Sequence, residues 1–434
     1  MAPPRDQLSV VVLGGGTVGA QVVRLLEEQA DDLAARIGAR LVVTGVGVRD
    51  TGKARPGIRP ELLSADLEAL TASGPDIVVE LMGGIEPARE LILRALGSGA
   101  SVVTANKALI ATQGATLHAA AVEAGVDLFY EASVAGAIPL LRPLRESLAG
   151  DRIRRVLGIV NGTTNYILTQ MESTGASFAD ALADAQALGY AEADPTADVE
   201  GLDAAAKAAI LASLAFHSRV TLEDVAVEGI TSIDAPDVAA AQEMGFDIKL
   251  LAVADLVESG EAPGVCVRVH PTLVPRTHPL AGVRDAFNAV FIEAESAGQV
   301  MFYGRGAGGG PTASAVLGDI VVAARNRITG SQGPGESSYA QLRVLPIDAA
   351  PTAYFVHLRV LDQAGVLAAV AGVFAEHGAS IRSMTQKGEG DQAELLILTH
   401  PGREAELAAT VSGLRQLPTV DAVLGVMRVI EEGR

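Results

Sequence analysis

An α/β chain of three domains is predicted by three observations. An apolar strand runs into Gly14-x-Gly16-x-x-Gly19, strands then alternate with helical stretches, and the chain closes on a β-α-β-β-α-β succession. The first implies a Rossmann-type doubly wound parallel sheet in domain 1–135. The middle, 136–302, reads as an α+β domain for substrate and dimerisation. The last, 353–434, reads as ferredoxin-like.

Residues 8–13 are the opening strand and 20–29 the helix after it. Between them Gly14 permits the tight turn, Gly16 lets backbone approach a pyrophosphate, and Gly19 lets helix pack on strand. Thr17 and Val18, at the helix start, join these three as candidate cofactor residues. The next strand, 41–48, ends in Arg49-Asp50. An acid there suits a ribose diol and an arginine a 2′-phosphate; Arg49 with Lys53 and Arg55 leans toward NADP(H). Strands follow at 76–81, 101–104 and 127–130. The carboxyl ends of such strands face the ligand, which puts Gly83-Gly84 and Thr104-Ala-Asn-Lys107 at the cofactor's reactive end.

From Glu131 the pattern changes to a turn-rich connection, 131–139. Strand 156–160 enters the polar turn Asn161-Gly162-Thr163-Thr164-Asn165 and a helix. The acidic run from Glu192 through Asp198 to Asp203 comes next, then an apolar helix. Strands are read at 265–269 and 289–295. A second glycine-rich segment, with Gly306 and Gly308, leads into helix 313–324; segment 303–327 is expected to pack back on the first domain. Residues 328–352, rich in Gly, Ser, Pro and Gln, read as a linker. Beyond it come strand 354–360, helix 366–376, strands 379–384 and 394–399, helix 404–416 and strand 423–430.

The net charge of −19 argues against a nucleic-acid partner, which needs a basic footprint. The single cysteine, Cys266, excludes an internal disulfide and fits a reducing compartment, the cytoplasm. No run of about 18 apolar residues suggests a membrane span, and no signal peptide is apparent. Aromatics make up 3% and tryptophan is absent, so the cores must be aliphatic.

The chemistry concentrates at Lys207. It is the only fixed charge from 204 to 218, in a stretch that reads as a buried helix. A lone buried amine needs a partner or a task, and Asp203 lies one turn earlier on the same face. Such an amine can exchange a proton near neutral pH. A snorkelling lysine behind helix-capping acids is the plainer alternative. Gly162, Thr163 and Thr164 could hold a carboxylate as a helix N-terminus does.

Four motifs in order resemble homoserine dehydrogenase: Gly14-x-Gly16-x-x-Gly19, Thr104-Ala-Asn-Lys107, Asn161-Gly-Thr-Thr-Asn-Tyr166 and the run from Glu192 to Lys207. Leu361-Asp362-Gln-Ala-Gly365-Val366 and Phe374-Ala-Glu-His-Gly378 resemble an ACT regulatory domain. The likeness covers nearly the whole chain. With no kinase-sized extension upstream, it implies the monofunctional form. It further implies reversible reduction of L-aspartate 4-semialdehyde to L-homoserine with NADP(H) or NAD(H), on the route to threonine and methionine. In that reading Lys207 is the acid and Lys107 a second lysine near the reacting centre. Glu192 and Asp198 meet the substrate ammonium, and Asp203 holds Lys207. Glu131, Val134, Gly136 and Ile138 match a site for Na+ or K+ built mostly from main-chain oxygens. Gly306 and Gly308 match a loop against the nicotinamide. Asp362, Gly365 and Val366 border an effector pocket, with threonine as the expected effector. ACT domains usually pair edge to edge, so a homodimer or homotetramer is expected.

Two rivals remain. Aspartate-semialdehyde dehydrogenase needs an activated thiol, and Cys266 sits in an alternating apolar run. A non-catalytic dinucleotide and amino-acid sensor would need no buried proton donor.

Overall fold

The computed structural model describes residues 6–258, 263–388 and 392–430. Two compact units emerge: Met1–Ile153 with Ala209–Leu222 and Asn288–Gln341, and Arg154–Ala208 with Glu223–Phe287 and Leu342–Arg434.

In the first unit six strands form one sheet. They are β1 (Gln7–Leu13), β2 (Arg40–Gly47), β3 (Leu63–Ser64), β4 (Ile77–Glu80), β5 (Ser101–Thr104) and β6 (Leu128–Phe129), ordered β3-β2-β1-β4-β5-β6. Every pairing is parallel. The strands are apolar runs because helices cover both faces of such a sheet. The order reverses at β1, where β2 and β4 flank it on either side, and a ligand crevice opens at such a switch point. Helix Thr17–Glu28 and helix Gly309–Thr329 press onto β1 and β4 through Val22, Val23, Leu26, Val316 and Ile320. All five are aliphatic, in keeping with a chain without tryptophan.

The second unit holds a mixed sheet. Across it run Ile153–Ile159, Phe246–Val257, Gly264–Pro275, Val420–Val429, Pro351–Leu361, Gln392–Thr399 and Ile381–Lys387. Phe246–Val257 and Gly264–Pro275 form a long antiparallel pair, with Phe246 opposite Pro275 and Val257 opposite Gly264. The last four strands with helices Val366–Glu376 and Glu404–Leu414 make the ferredoxin-like fold, in antiparallel pairs. Its core is Val356, Leu358, Val370, Phe374, Leu395, Ile397 and Leu407. Strand Ile381–Lys387 is largely exposed at the sheet edge.

Two sequence expectations need correcting. Phe246–Val257 is a strand that the pattern did not disclose. It is buried on both faces, so apolar and polar residues do not alternate. Segment 328–352 is packed rather than a free linker. Helix Gly309–Thr329 takes its first residues, and Glu336, Ser337 and Tyr339 bond or stack on Arg219 and His217. Further on, Arg343 and Val344 pair with Gly264 and Val265. Apolar Val344, Leu345 and Ile347 among the polar residues explain that docking. No helix among the described residues is long and apolar enough to cross a membrane.

Candidate active site

Strand Ile153–Ile159 delivers the chain to Asn161, the N-cap of helix Gly162–Thr174. Asn161 Oδ1 accepts from the Thr164 N–H at 2.9 Å. Its Nδ2 donates to Asp198 Oδ1 at 2.7 Å and to Asp203 Oδ2 at 2.8 Å. One amide therefore fixes a helix end and two carboxylates.

Helix Leu202–Ala215 starts beside this amide. Lys207 is one turn in and 9% exposed. Its Nζ donates to Asp203 Oδ2 and to the Val160 carbonyl, both at 2.6 Å. A buried ammonium without such partners would lose its hydration uncompensated, and deleting one member of a buried pair costs about 3–5 kcal/mol. The snorkelling alternative fails on this burial. The amine that the sequence singles out is paired and enclosed.

Other expected substrate residues divide. Asp198 joins the cluster through Asn161. Glu192 is exposed, and its carboxylate meets no protein donor among the described residues. The Thr163 hydroxyl donates to the Tyr190 carbonyl at 2.7 Å, and the Thr164 N–H and hydroxyl both go to Asn161. The two hydroxyls are thus already engaged as donors. Gly162 needs to be glycine: a Cβ there would meet the Ala286 carbonyl oxygen at 2.9 Å.

That carbonyl belongs to the strap 283–287, which a second layer holds in place. Asn165 Nδ2 donates to the carbonyls of Val283, Asp285 and Phe287. Lys249, fully buried, donates to the Val283 carbonyl at 2.7 Å. The strap and the N-terminus of the Asn161-capped helix are fastened together by the side chains of Asn165 and Lys249.

In the first unit the glycine turn has the shape a dinucleotide requires. A Cβ on Gly14, at φ +116°, would meet the Leu81 oxygen at 2.6 Å, and one on Gly19 would lie 1.8 Å from the Gly14 oxygen. Nothing lies within 4 Å of that position on Gly16, the N-cap, which offers no capping side chain. The first N–H groups of the helix are therefore open to an anion. An open cleft of about 1070 Å3 here is lined by Gly14, Gly16, Thr17, Arg49, Lys53 and Arg55, among others. That is the size of a large ligand site. Arg55 binds the carbonyls of Asp50 and Lys53 and so shapes the loop.

Val18 and Gly19 do not line this cleft; Val18 packs on the core, and Gly19 serves helix–strand contact. Thr104 is a further cofactor candidate. It is fully buried, donating to Glu80 Oε2 at 2.6 Å and accepting from the Asn106 N–H. Glu80 also accepts from the N–H groups of Met82 and Gly83, and Asn106 donates to the Gly84 carbonyl. Glu80 and Asn106 thus knit the loops after β4 and β5, and Lys107 opens the next helix, half-buried. Glu80 was visible in the sequence only as one acid in an apolar strand.

Gly306 lies where a Cβ would strike Asn288, and its carbonyl oxygen sits 2.3 Å from the Cβ position of Gly136. Gly308, at φ +121°, caps helix Gly309–Thr329. The Glu131 carboxylate accepts from the N–H groups of Leu140, Leu141 and Arg142. It is an anionic helix cap. Val134, Gly136 and Ile138 contribute a tight turn with positive φ at Ala135 and Gly136.

Cys266 is fully buried, and burial pushes its thiol up. It is no activated nucleophile. In the C-terminal domain Asp362 accepts from Gln386, Gly365 at φ +94° caps helix Val366–Glu376, and Val366 is in the core.

A family model described as homoserine dehydrogenase matches residues 139–321. One described as its NAD binding domain matches 14–131, and one for the ACT domain matches 354–419. The chain is 54% identical to the homoserine dehydrogenase of Corynebacterium glutamicum, over 98% of this chain and 96% of that protein. It is 56% identical to that of Mycobacterium tuberculosis, over 98% and 99%. The solved homoserine dehydrogenase from Thiobacillus denitrificans is 39% identical, with TM-score 0.92 over 99% of each chain. A hyperthermophilic archaeal homoserine dehydrogenase in complex with NADPH is 28% identical, with TM-score 0.63, over 76% of this chain and 99% of that one.

Burial pushes the Lys249 ammonium down to about 8, against the pull of Glu172 and Asp247. The folded protein then holds this proton less tightly than the unfolded chain. The lysine's contribution to stability should rise with pH between about 8 and its ordinary 10.5. Relative to Lys249→Met, the wild type should gain on the order of 2–3 kcal/mol between those limits in denaturant unfolding. Parallel stability curves for the two proteins would contradict the assignment.

Proposed function

The chain belongs to the homoserine dehydrogenase family, and from that premise we propose which of its residues carry the reaction. It is an NAD(P)-dependent oxidoreductase that interconverts L-aspartate 4-semialdehyde and L-homoserine. The observation that carries the residue assignment is the enclosed amine of Lys207, held by Asp203 and the Val160 carbonyl.

When bound, NAD(P)H supplies the hydride. Gly14, Gly16 and Thr17 offer the helix N-terminus to its pyrophosphate, and Arg49 meets the adenosine end. Lys207 donates a proton to the aldehyde oxygen as that oxygen gains charge, and takes it back in the reverse direction. Asp203 holds the ammonium in place, and Asn161 directs it by holding Asp203. Asp198 and Glu192 face the substrate ammonium. The N–H groups at Gly162 and Thr163 serve its carboxylate, with the hydroxyls already bound elsewhere. Lys107 would assist at the reacting centre, and the segment Gly306–Gly308 would lie against the nicotinamide. The domain reading is part of the same proposal: 1–135 with 303–327 for cofactor, 136–302 for substrate, 353–434 for regulation. The family-model limits support the three-part division, and residues 303–327 fall in the same compact unit as the first domain.

Main-chain oxygens of Glu131, Val134, Gly136 and Ile138 would hold Na+ or K+ as hard, neutral donors. We place threonine, or another small amino acid, at the turn formed by Asp362, Gly365 and Val366. The exposed edge strand Ile381–Lys387 supports pairing of two C-terminal domains into a homodimer or larger assembly. Cytoplasmic residence is supported by the lone buried cysteine and by the biosynthetic relatives.

Lys207→Ala should lower kcat by about 10³-fold or more, while fluorescence titration gives an NADPH Kd within about threefold of wild type. A variant that keeps most of its turnover would remove Lys207 from the acid role. Rates measured with and without threonine and potassium test the regulatory and cation readings together. Threonine should slow turnover and potassium should raise it. Rates indifferent to threonine, with no heat of binding by calorimetry, would leave the C-terminal domain a pairing module only.

A further inference from the structure

Helix Lys107–Ala124, the second half of helix Leu202–Ala215 and the segment 336–338 enclose a cavity of about 110 Å3. All of its walls belong to the first unit. The hollow exists because one face of the first helix is small: Ala111, Gly114 and Ala115 fall at the spacing that shares a helix face. Ile110, Ile210, Leu214 and Val220 supply the rest of the apolar wall.

The polar side chains in this wall are mostly spent on the protein itself. Arg219 meets Glu336 in two bonds, at 2.8 and 2.7 Å, so their charges cancel. Ser213 donates to the Ala209 carbonyl and accepts from the Val220 N–H, and Ser337 bonds His217 Nδ1. His118 is the exception. It is 7% exposed, its Nε2 meets the Tyr130 hydroxyl at 3.3 Å, and its Nδ1 meets no described residue. Burial first, then Arg145, push its pKa down to about 4, so the ring is neutral and Nδ1 can serve as donor or acceptor. Buried waters make about three hydrogen bonds each. A water lodged against His118 would find one there, and apolar wall around most of the rest.

We propose that this cavity binds a compact uncharged molecule, an aliphatic body with a single hydroxyl or carbonyl group, and that this group bonds His118 Nδ1. The volume sets the size. An apolar cavity of about 150 Å3 takes benzene, so this one takes a somewhat smaller ring or branched chain. The walls set the charge. With Arg219 and Glu336 paired to each other, an ionised molecule would lose its hydration and gain no counter-ion.

The test uses the full chain with cyclopentanol, and cyclopentanecarboxylate as its charged counterpart. Ligand-observed NMR titration should give a Kd on the order of 1 mM for the alcohol and one at least about 10-fold weaker for the carboxylate. Ala115→Leu fills the hollow and should weaken alcohol binding by about 10-fold or more, with turnover and melting temperature unchanged. Ala111→Leu is the second filling variant should the first fail to fold. Crystals soaked in cyclopentanol should show the ring against Leu214 and Val220, with its hydroxyl on His118. Water alone in the cavity, equal affinity for the two probes, or filled variants that bind as the wild type does overturn the proposal. A ring seen in crystals without binding in solution marks binding at crystal concentration only and overturns it as well.

Discussion

The carboxamide of Asn161 is the constraint on which the cluster around Lys207 depends. Its oxygen caps a helix, and its nitrogen reaches two carboxylates that would repel each other unaided. Asp203 then completes the shell around Lys207. The lysine is tolerable in an alanine-rich helix only because Asp203 and the Val160 carbonyl replace its lost water. The placing of this amine and the stability of this corner are therefore one problem with one solution.

The same economy recurs at the nucleotide end. Gly14 and Gly19 bring β1 and its helix closer than any side chain allows, while Gly16 leaves the helix N-terminus bare. Glu80 lies under the loops that follow β4 and β5 and pins them through backbone N–H groups and Thr104. Two further buried acids hold backbone. Glu131 caps a helix, and Asp319 receives the Glu131 N–H and Arg142 while burial lifts its pKa to about 7.

Much of this was legible from residue order. Strand alternation disclosed the parallel sheet, and an isolated charge in an apolar run disclosed Lys207. Local signals worked because each depends on neighbours in sequence: a glycine turn, a helical period, an acid one turn ahead of a lysine. What escaped was long-range. Asn161 was readable as a helix cap, but its reach to Asp198 and Asp203 follows from where the chain returns about 40 residues later. Phe246–Val257 escaped because burial on both faces erases alternation. The three N–H partners of the Glu131 carboxylate and the Glu80 partner of the Thr104 hydroxyl were likewise beyond the reach of residue order.

A double-mutant cycle on kcat probes the central dependence most directly. Asn161→Ala alone should lower kcat by about 10²-fold through misplacement of Asp203 and Lys207, yet change nothing further once Lys207→Ala is present. Equal losses from Asn161→Ala in both backgrounds would show that the amide and the amine act independently, and would contradict the account.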